Sequence, residues 1–275
     1  MKDYIIGLYE KAMPNNMSIG DKMTLAKQAE FDYMEISIDE TDEKLSRIRS
    51  KDFLREAIRA KEISGLAIKT MCLSAHRKYP LGIGDQNPSA ARKSLEIMLD
   101  AADFSAELGI RIIQLAGYDV YYEKSDEKTR ANFVENLKKC VDMAAKSGII
   151  LAFETMETEF MNTVEKAMNY VRFINSPYLQ IYPDIGNIRN AAENYIEDIK
   201  AGEGHIVAAH LKETKEGIFR ELEYGQGRVD FKGCIKELRR QGVAMFTCEF
   251  WYDNKNAPDP LEYIKRNKKY INGRF

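Results

Sequence analysis

Apolar residues fall in short runs along the chain, and the stretches between them carry helical spacing. Tyr4 to Tyr9, Tyr33 to Ile38, Leu66 to Leu73 and Ile110 to Leu115 are such runs in the first half. Ile149 to Phe153, Leu179 to Pro183, Ile206 to Lys212 and Met245 to Cys248 follow in the second. Runs of this length between turn signals predict strands buried on both faces, as in a parallel sheet. The intervening stretches read as helices. Ser18 can cap one that carries Met23, Ala26 and Ala29 on a single face. Asp42 to Ile63 predicts one long helix that stops before Gly65. Asn87-Pro88 opens a helix with Leu95, Met98, Leu99 and Ala102, ending at Gly109. Ser125 is expected to cap the next, which bears Phe133, Leu137, Val141 and Ala144 up to Gly148. Thr163 to Phe173, Ala191 to Ala201, Phe231 to Arg240 and a last segment ending near Asn272 complete the set.

Eight strands, each followed by a helix, imply a parallel sheet with helical crossovers. In 275 residues that rhythm predicts an α/β fold, a closed (β/α)8 TIM barrel in one domain over residues 1–275. The competing architecture is an open doubly wound sheet. No Gly-x-Gly-x-x-Gly follows the first strand, so nothing supports its usual nucleotide site. No linker or break in composition marks a second domain.

The last four strands share a feature. They run into Glu154, Asp184, His210 and Glu249. A charged group at the end of a buried strand is expected to be paired or to hold a metal. In a barrel the carboxyl ends of the strands carry the active site. Three carboxylates and an imidazole would therefore converge on one side of the mouth. Such a set suits one divalent cation, Mn²⁺, Mg²⁺ or Zn²⁺. His76, in Ser74-Ala75-His76-Arg77-Lys78 after the third strand, is expected at the same mouth. His205 precedes its strand and is expected at the opposite end, in a structural role.

Charge and cysteine content narrow the classes. The formal net charge is −2 and the isoelectric point about 6.1, which leaves no basic footprint for nucleic acid or an anionic membrane surface. No apolar stretch is long enough to span a bilayer. The first residues carry no signal-peptide pattern, and the four cysteines form no paired motif. A cytoplasmic protein with reduced, buried thiols is the expectation.

The strand-end order Glu154, Asp184, His210, Glu249 resembles the xylose-isomerase-like barrel superfamily. Further stretches are similar to one branch of it, the L-ribulose-5-phosphate 3-epimerases of L-ascorbate utilisation, once called hexulose-6-phosphate isomerases. These are Gly7-Leu8-Tyr9-Glu10-Lys11-Ala12, Asp39-Glu40-Thr41-Asp42-Glu43, Met71 to Arg77, Gln114 to Tyr122 and Tyr182-Pro183-Asp184-Ile185-Gly186-Asn187. The resemblance runs nearly end to end. It implies a metal-dependent enzyme that interconverts L-ribulose 5-phosphate and L-xylulose 5-phosphate through an enediolate. Free-ketose epimerases of the superfamily usually carry Asp-x-x-His after strand 6. The Asp184-Ile185-Gly186-Asn187 pattern departs from that and fits the phosphosugar branch.

Under this resemblance Glu154 and Glu249 are expected as the two catalytic bases and also as metal ligands, with Asp184 and His210 as the other ligands. Glu10 and Gln114 are expected on sugar hydroxyls, and Asn187 and Lys212 on the substrate. His76 and Arg77 are the preferred phosphate contacts. Lys212, Arg220 and the loop Tyr224 to Arg228 are the alternatives. Tyr118, Tyr121 and Tyr122 would either cover the site or build a subunit contact. The expected partner is a small phosphosugar, and the expected assembly a homodimer. Two other readings stand beside this one: an aldose–ketose isomerase acting on a hexulose 6-phosphate, and a non-catalytic barrel that binds a sugar phosphate.

Overall fold

A computed structural model describes residues 3–254 and 259–275. The elements run β1 (Ile5–Tyr9), α1 (Ile19–Gln28), β2 (Tyr33–Ile38), α2 (Asp42–Ser46), α3 (Lys51–Ser64), β3 (Ala67–Leu73), α4 (Pro88–Leu108), β4 (Ile112–Ala116) and α5 (Glu127–Lys146). They continue with β5 (Ile150–Glu154), α6 (Val164–Ile174), β6 (Leu179–Ile181), α7 (Ile185–Ala191), α8 (Tyr195–Lys200), β7 (Ala209–Lys212), α9 (Phe231–Arg240), β8 (Met245–Glu249) and α10 (Pro260–Asn272). Among the described residues no helix is long and apolar enough to cross a membrane.

All eight strands are parallel, in the order β6-β5-β4-β3-β2-β1-β8-β7. Pairing of β1 with β8 joins the two ends of the chain. The ring closes between β6 and β7 through the bridges Ile181↔Ile206 and Asp184↔His210. The expected (β/α)8 barrel is therefore the observed fold. Its register matters for the site. His210 lies opposite Thr247, and Lys212 opposite Glu249.

The main core lies between the sheet and the helices, where Leu8, Ile36, Phe133, Phe153 and Phe246 are fully buried. Burying each such side chain contributes roughly 1.5–3 kcal/mol. A smaller apolar cluster of Ile112, Ala152, Tyr182 and Ala208 fills part of the barrel interior. Tyr33 takes up the space beside Gly7, where a Cβ would lie 2.3 Å from its ring. Only glycine fits there.

Four boundaries differ from the sequence-based expectation. The helix expected over Asp42 to Ile63 is two helices with a 3-10 turn, Arg47–Arg49, between them. Ser50 restarts it by accepting from Phe53 N at 3.1 Å. Asp126, rather than Ser125, caps α5, in a capping box with Thr129. Ser125 instead donates to Asp119 Oδ2 at 2.7 Å. The helix after β6 begins at once, because Asp184 Oδ1 accepts from Gly186 N and Asn187 N at 2.8 and 3.1 Å. The seventh strand begins at Ala209 and not at Ile206, which contributes only a bridge. Cys72, Cys140, Cys234 and Cys248 are free and buried, as anticipated.

Candidate metal centre and barrel mouth

β5 ends in Glu154, β8 in Glu249, and β7 carries His210. Asp184 follows β6 and caps α7 with Oδ1, while Oδ2 meets Lys212 Nζ. These four buried residues each offer one ligand atom, and the four atoms lie within 4.8 Å of one another. His210 Nδ1 is 2.9 Å from Glu249 Oε2 and 3.3 Å from Glu154 Oε1. Lys212 Nζ pairs with Asp184 and lies 3.7 Å from Glu249 Oε2.

Three carboxylates packed this closely with so few cations strain one another. Burial raises Glu154, and Glu249 adds to the rise. Burial also pushes Asp184 up to about 7 against the pull of Lys212, with Glu249 and Glu154 adding. For Glu249 burial is outweighed by Lys212 and His210, which lower it. For His210 burial is outweighed by Glu35, Glu249 and Glu154, which raise it well above the usual imidazole range. A divalent cation would relieve this repulsion and displace the protons held there. The donors are all hard or borderline nitrogen and oxygen, so the set fits Zn²⁺, Mn²⁺ or Mg²⁺.

A cavity opens over these residues. Glu154, Asn187, Lys212 and Glu249 form part of its wall, with Tyr9, Cys72, Met156, Phe219 and Trp251. Lys11, Arg77 and Arg220 line it as well, beside Ser74 and Glu157. The wall thus combines apolar and aromatic side chains with charges of both signs. That arrangement suits a small polar molecule with an anionic tail.

A family described as the xylose isomerase-like TIM barrel matches residues 23–272. The chain belongs to this family. L-ribulose-5-phosphate 3-epimerase UlaE of Salmonella heidelberg (strain SL476) is 40% identical over 280 residues, covering 100% of this chain and 96% of the relative. The protein of that name from Escherichia coli O157:H7 is likewise 40% identical over 280 residues, with the same coverage of 100% and 96%. Among solved structures, D-allulose 3-epimerase from Methylomonas sp. in complex with D-allulose aligns with TM-score 0.83 at 19% identity, covering 100% of this chain and 98% of that one. The IOLI protein with a binding zinc atom aligns at 0.81 and 17% identity, over 98% and 99% of the two chains. At that identity the two structures share the fold.

In this xylose isomerase-like barrel, two residues expected at the mouth lie elsewhere. Glu10, expected on a sugar hydroxyl, is fully buried among Lys22, Lys44 and Arg47. Arg47 Nη1 donates to its two oxygens at 2.9 and 3.0 Å, and Ser37 N to Oε2 at 2.8 Å. Its charge is consumed in tying the loop after β1 to α1 and α2. His76, expected on a phosphate, is also buried, with Nε2 3.3 Å from Ser94 O. Burial lowers it to about 4, so it is neutral at pH 7 and makes a poor anion partner.

The other expected residues are closer to the chemistry. Arg77 lines the cavity, holds Glu40 at 2.9 Å and lies over the Tyr121 ring. Gln114 is buried beside the centre, with Nε2 2.9 Å from His210 Nδ1. Asn187 lines the wall and donates Nδ2 to Thr155 O at 2.7 Å. Its Oδ1 has no hydrogen-bond partner among the described residues. Arg228, an alternative for the phosphate, is turned away onto Asn190 and Glu216. Tyr118 and Tyr121 pack edge to face with ring centroids 4.8 Å apart, whereas Tyr122 packs on Tyr79. Tyr118 donates to Glu157 at 2.6 Å, Tyr121 stacks near Arg77, and Tyr122 braces Gly82 at 3.0 Å. His205 meets Gln180 at 3.1 Å, away from the mouth.

Glu35 and Glu157 were missed. Glu157 belongs to the loop after β5 and carries no signal beyond its charge. Glu35 had one: it interrupts the apolar run from Tyr33 to Ile38. A carboxylate inside a buried strand needs partners, and Glu35 finds His210 Nε2 at 2.6 Å.

Proposed function

We propose that this barrel is a divalent-metal 3-epimerase that interconverts L-ribulose 5-phosphate and L-xylulose 5-phosphate. One observation carries the reading. Glu154 and Glu249, from strands on either side of Asp184 and His210, both face the cavity and both approach the same His210 nitrogen. The full-length likeness to L-ribulose-5-phosphate 3-epimerases supports it.

Inverting C3 of a 2-ketose removes a proton beside the carbonyl and returns one to the opposite face. Two bases on opposite sides of the sugar meet that need. Glu154 and Glu249 are assigned these roles. Each has one oxygen for the centre and a second for the C3 proton. Their surroundings push them apart: burial raises Glu154, whereas Lys212 and His210 overcome burial at Glu249. Asp184 and His210, with the two glutamates, would hold the cation. When bound, it supplies Lewis-acid stabilisation of the charge that develops on O2 and O3. Lys212 and Asn187 are assigned to orienting the sugar oxygens. Arg77, Lys11 and Arg220, which line the same cavity, are assigned to the phosphate. Tyr9 packs against both His210 and Trp251, and Tyr9 and Trp251 line the cavity.

The test is solvent exchange. In D₂O, turnover of L-ribulose 5-phosphate is expected to place deuterium at C3 of L-xylulose 5-phosphate and none at C1. Deuterium at C1 would favour an aldose–ketose isomerase. Tight substrate binding with no turnover in the presence of metal would favour a binding barrel.

A further inference from the structure

The roles above leave the buried carboxyl group of Glu35 without a task. Glu35 lies in the middle of β2 and is fully buried. A carboxylate in such a place is costly unless donors meet its oxygens. Three do. Oε2 accepts from Thr70 Oγ1 at 2.7 Å and from Tyr182 OH at 2.9 Å. Oε1 lies 2.6 Å from His210 Nε2. The network does not end there. Tyr182 OH also meets Thr247 Oγ1, which bonds to Tyr33 OH at 2.7 Å. Strands β2, β3 and β8, with Tyr182 just after β6, therefore all hold this carboxylate in one orientation.

We propose that Glu35 is a positioning residue that keeps a proton on His210 Nε2 and aims Nδ1 at the cation held by Glu154, Asp184 and Glu249. The inference rests on the metal-centre reading above. An imidazole binds a cation through the nitrogen that lacks a proton, and the hydrogen bond at the other nitrogen decides which one that is. Glu35 as a carboxylate can only accept, so it requires Nε2–H. Nδ1 is then the ligating nitrogen, and it is the one that faces Glu249 and Glu154, at 2.9 and 3.3 Å. The ring has one further polar neighbour. Gln114 Nε2 is 2.9 Å from Nδ1 and 3.3 Å from Nε2, and as an amide donor nearer Nδ1 it too favours an Nδ1 without a proton. A glutamine at position 35 would carry an amide that donates. His210 Nε2 could then accept, the proton would move to Nδ1, and ligation would be blocked.

The test compares the wild-type chain, Glu35→Gln and Tyr182→Phe by competition with a chromophoric chelator for Zn²⁺ alone and for Mn²⁺ alone. Glu35→Gln is expected to weaken binding by roughly 10–100-fold. Tyr182→Phe removes one donor to the same carboxylate but keeps its charge, so its effect is expected to be several-fold smaller. Long-range ¹H–¹⁵N spectra of the Zn²⁺-loaded wild type, which has only three histidines to resolve, are expected to show His210 protonated on Nε2. That spectrum needs no variant and decides the matter even if Glu35→Gln does not fold. Equal affinity of Glu35→Gln and wild type would overturn the proposal. So would equal losses in both variants, or a His210 proton on Nδ1. A wild-type chain that binds neither ion overturns the metal-centre reading instead, and is recognised by the absence of any binding to compare.

Discussion

Glu10→Gln separates a structural carboxylate from a sugar contact. The wild-type side chain faces Arg47, Lys44 and Lys22 with no solvent access. Burial by itself would raise its pKa, but the three cations outweigh it and hold Glu10 at about 2 against an ordinary 4.5. That gap corresponds to about 3 kcal/mol of stability at neutral pH. A second route gives a similar figure. Glutamine would leave three buried cations facing one another, and removing one partner of a buried pair costs about 3–5 kcal/mol. Urea unfolding at pH 7, with metal held constant, is expected to show a loss of about 3–4 kcal/mol. The melting temperature should fall by roughly 6–16 °C, given about 2–4 °C per kcal/mol at this size. The sign of the pH dependence follows from a folded-state pKa below the unfolded one. The wild-type advantage is complete above pH 4.5 and is lost as the pH falls towards 2, so the two proteins converge across that window. A loss under about 1 kcal/mol at pH 7 would refute the reasoning. A raised KM with unchanged stability would return Glu10 to the sugar.

Other outcomes follow from the mouth and the centre. Arg77→Ala should raise KM for L-ribulose 5-phosphate by roughly 10–100-fold, the loss of a charge-assisted hydrogen bond worth about 1.5–3 kcal/mol, and should hardly alter the weak turnover of free L-ribulose. Equal effects on both substrates, measured by steady-state kinetics, would make Arg77 structural through Glu40. Glu154→Gln and Glu249→Gln should each abolish net epimerisation, yet each should still allow deuterium exchange into a single epimer, because one base can remove and return a proton on its own face. Exchange into both epimers by either variant, read by NMR, would contradict the assignment of one base to each face. Exhaustive chelation should abolish turnover, and Zn²⁺, Mn²⁺ or Mg²⁺ should restore it. Full activity in the chelated protein would remove the metal from the reaction.

The barrel was legible because its signals are local. Alternation of short apolar runs with helical stretches is set within a dozen residues, and it yields eight βα units without knowledge of any distant contact. The end of each strand is equally local, so Glu154, Asp184, His210 and Glu249 could be read as a group at one end of a barrel. The misplaced helix boundaries are of a different kind. Ser50, Asp126 and Asp184 each had a suitable side chain, but so did Ser125, and the choice depended on which competing partner lay near.

Tertiary structure decided what each charge faces. Glu10 and His76 occupy the same positions along their βα units as true mouth residues would, immediately after strands. The cations that claim Glu10 come from α1, α2 and the turn beyond, and the apolar packing of the loop after β3 and of α4 encloses His76. Glu35 and His210 are separated by 175 positions, and they meet only because the ring closes in one register. A carboxylate looks the same in a sequence whether it meets water, a cation or an imidazole. Its pKa and its role come from the dielectric and the partners around it, and those exist only once the sheet has curled and closed.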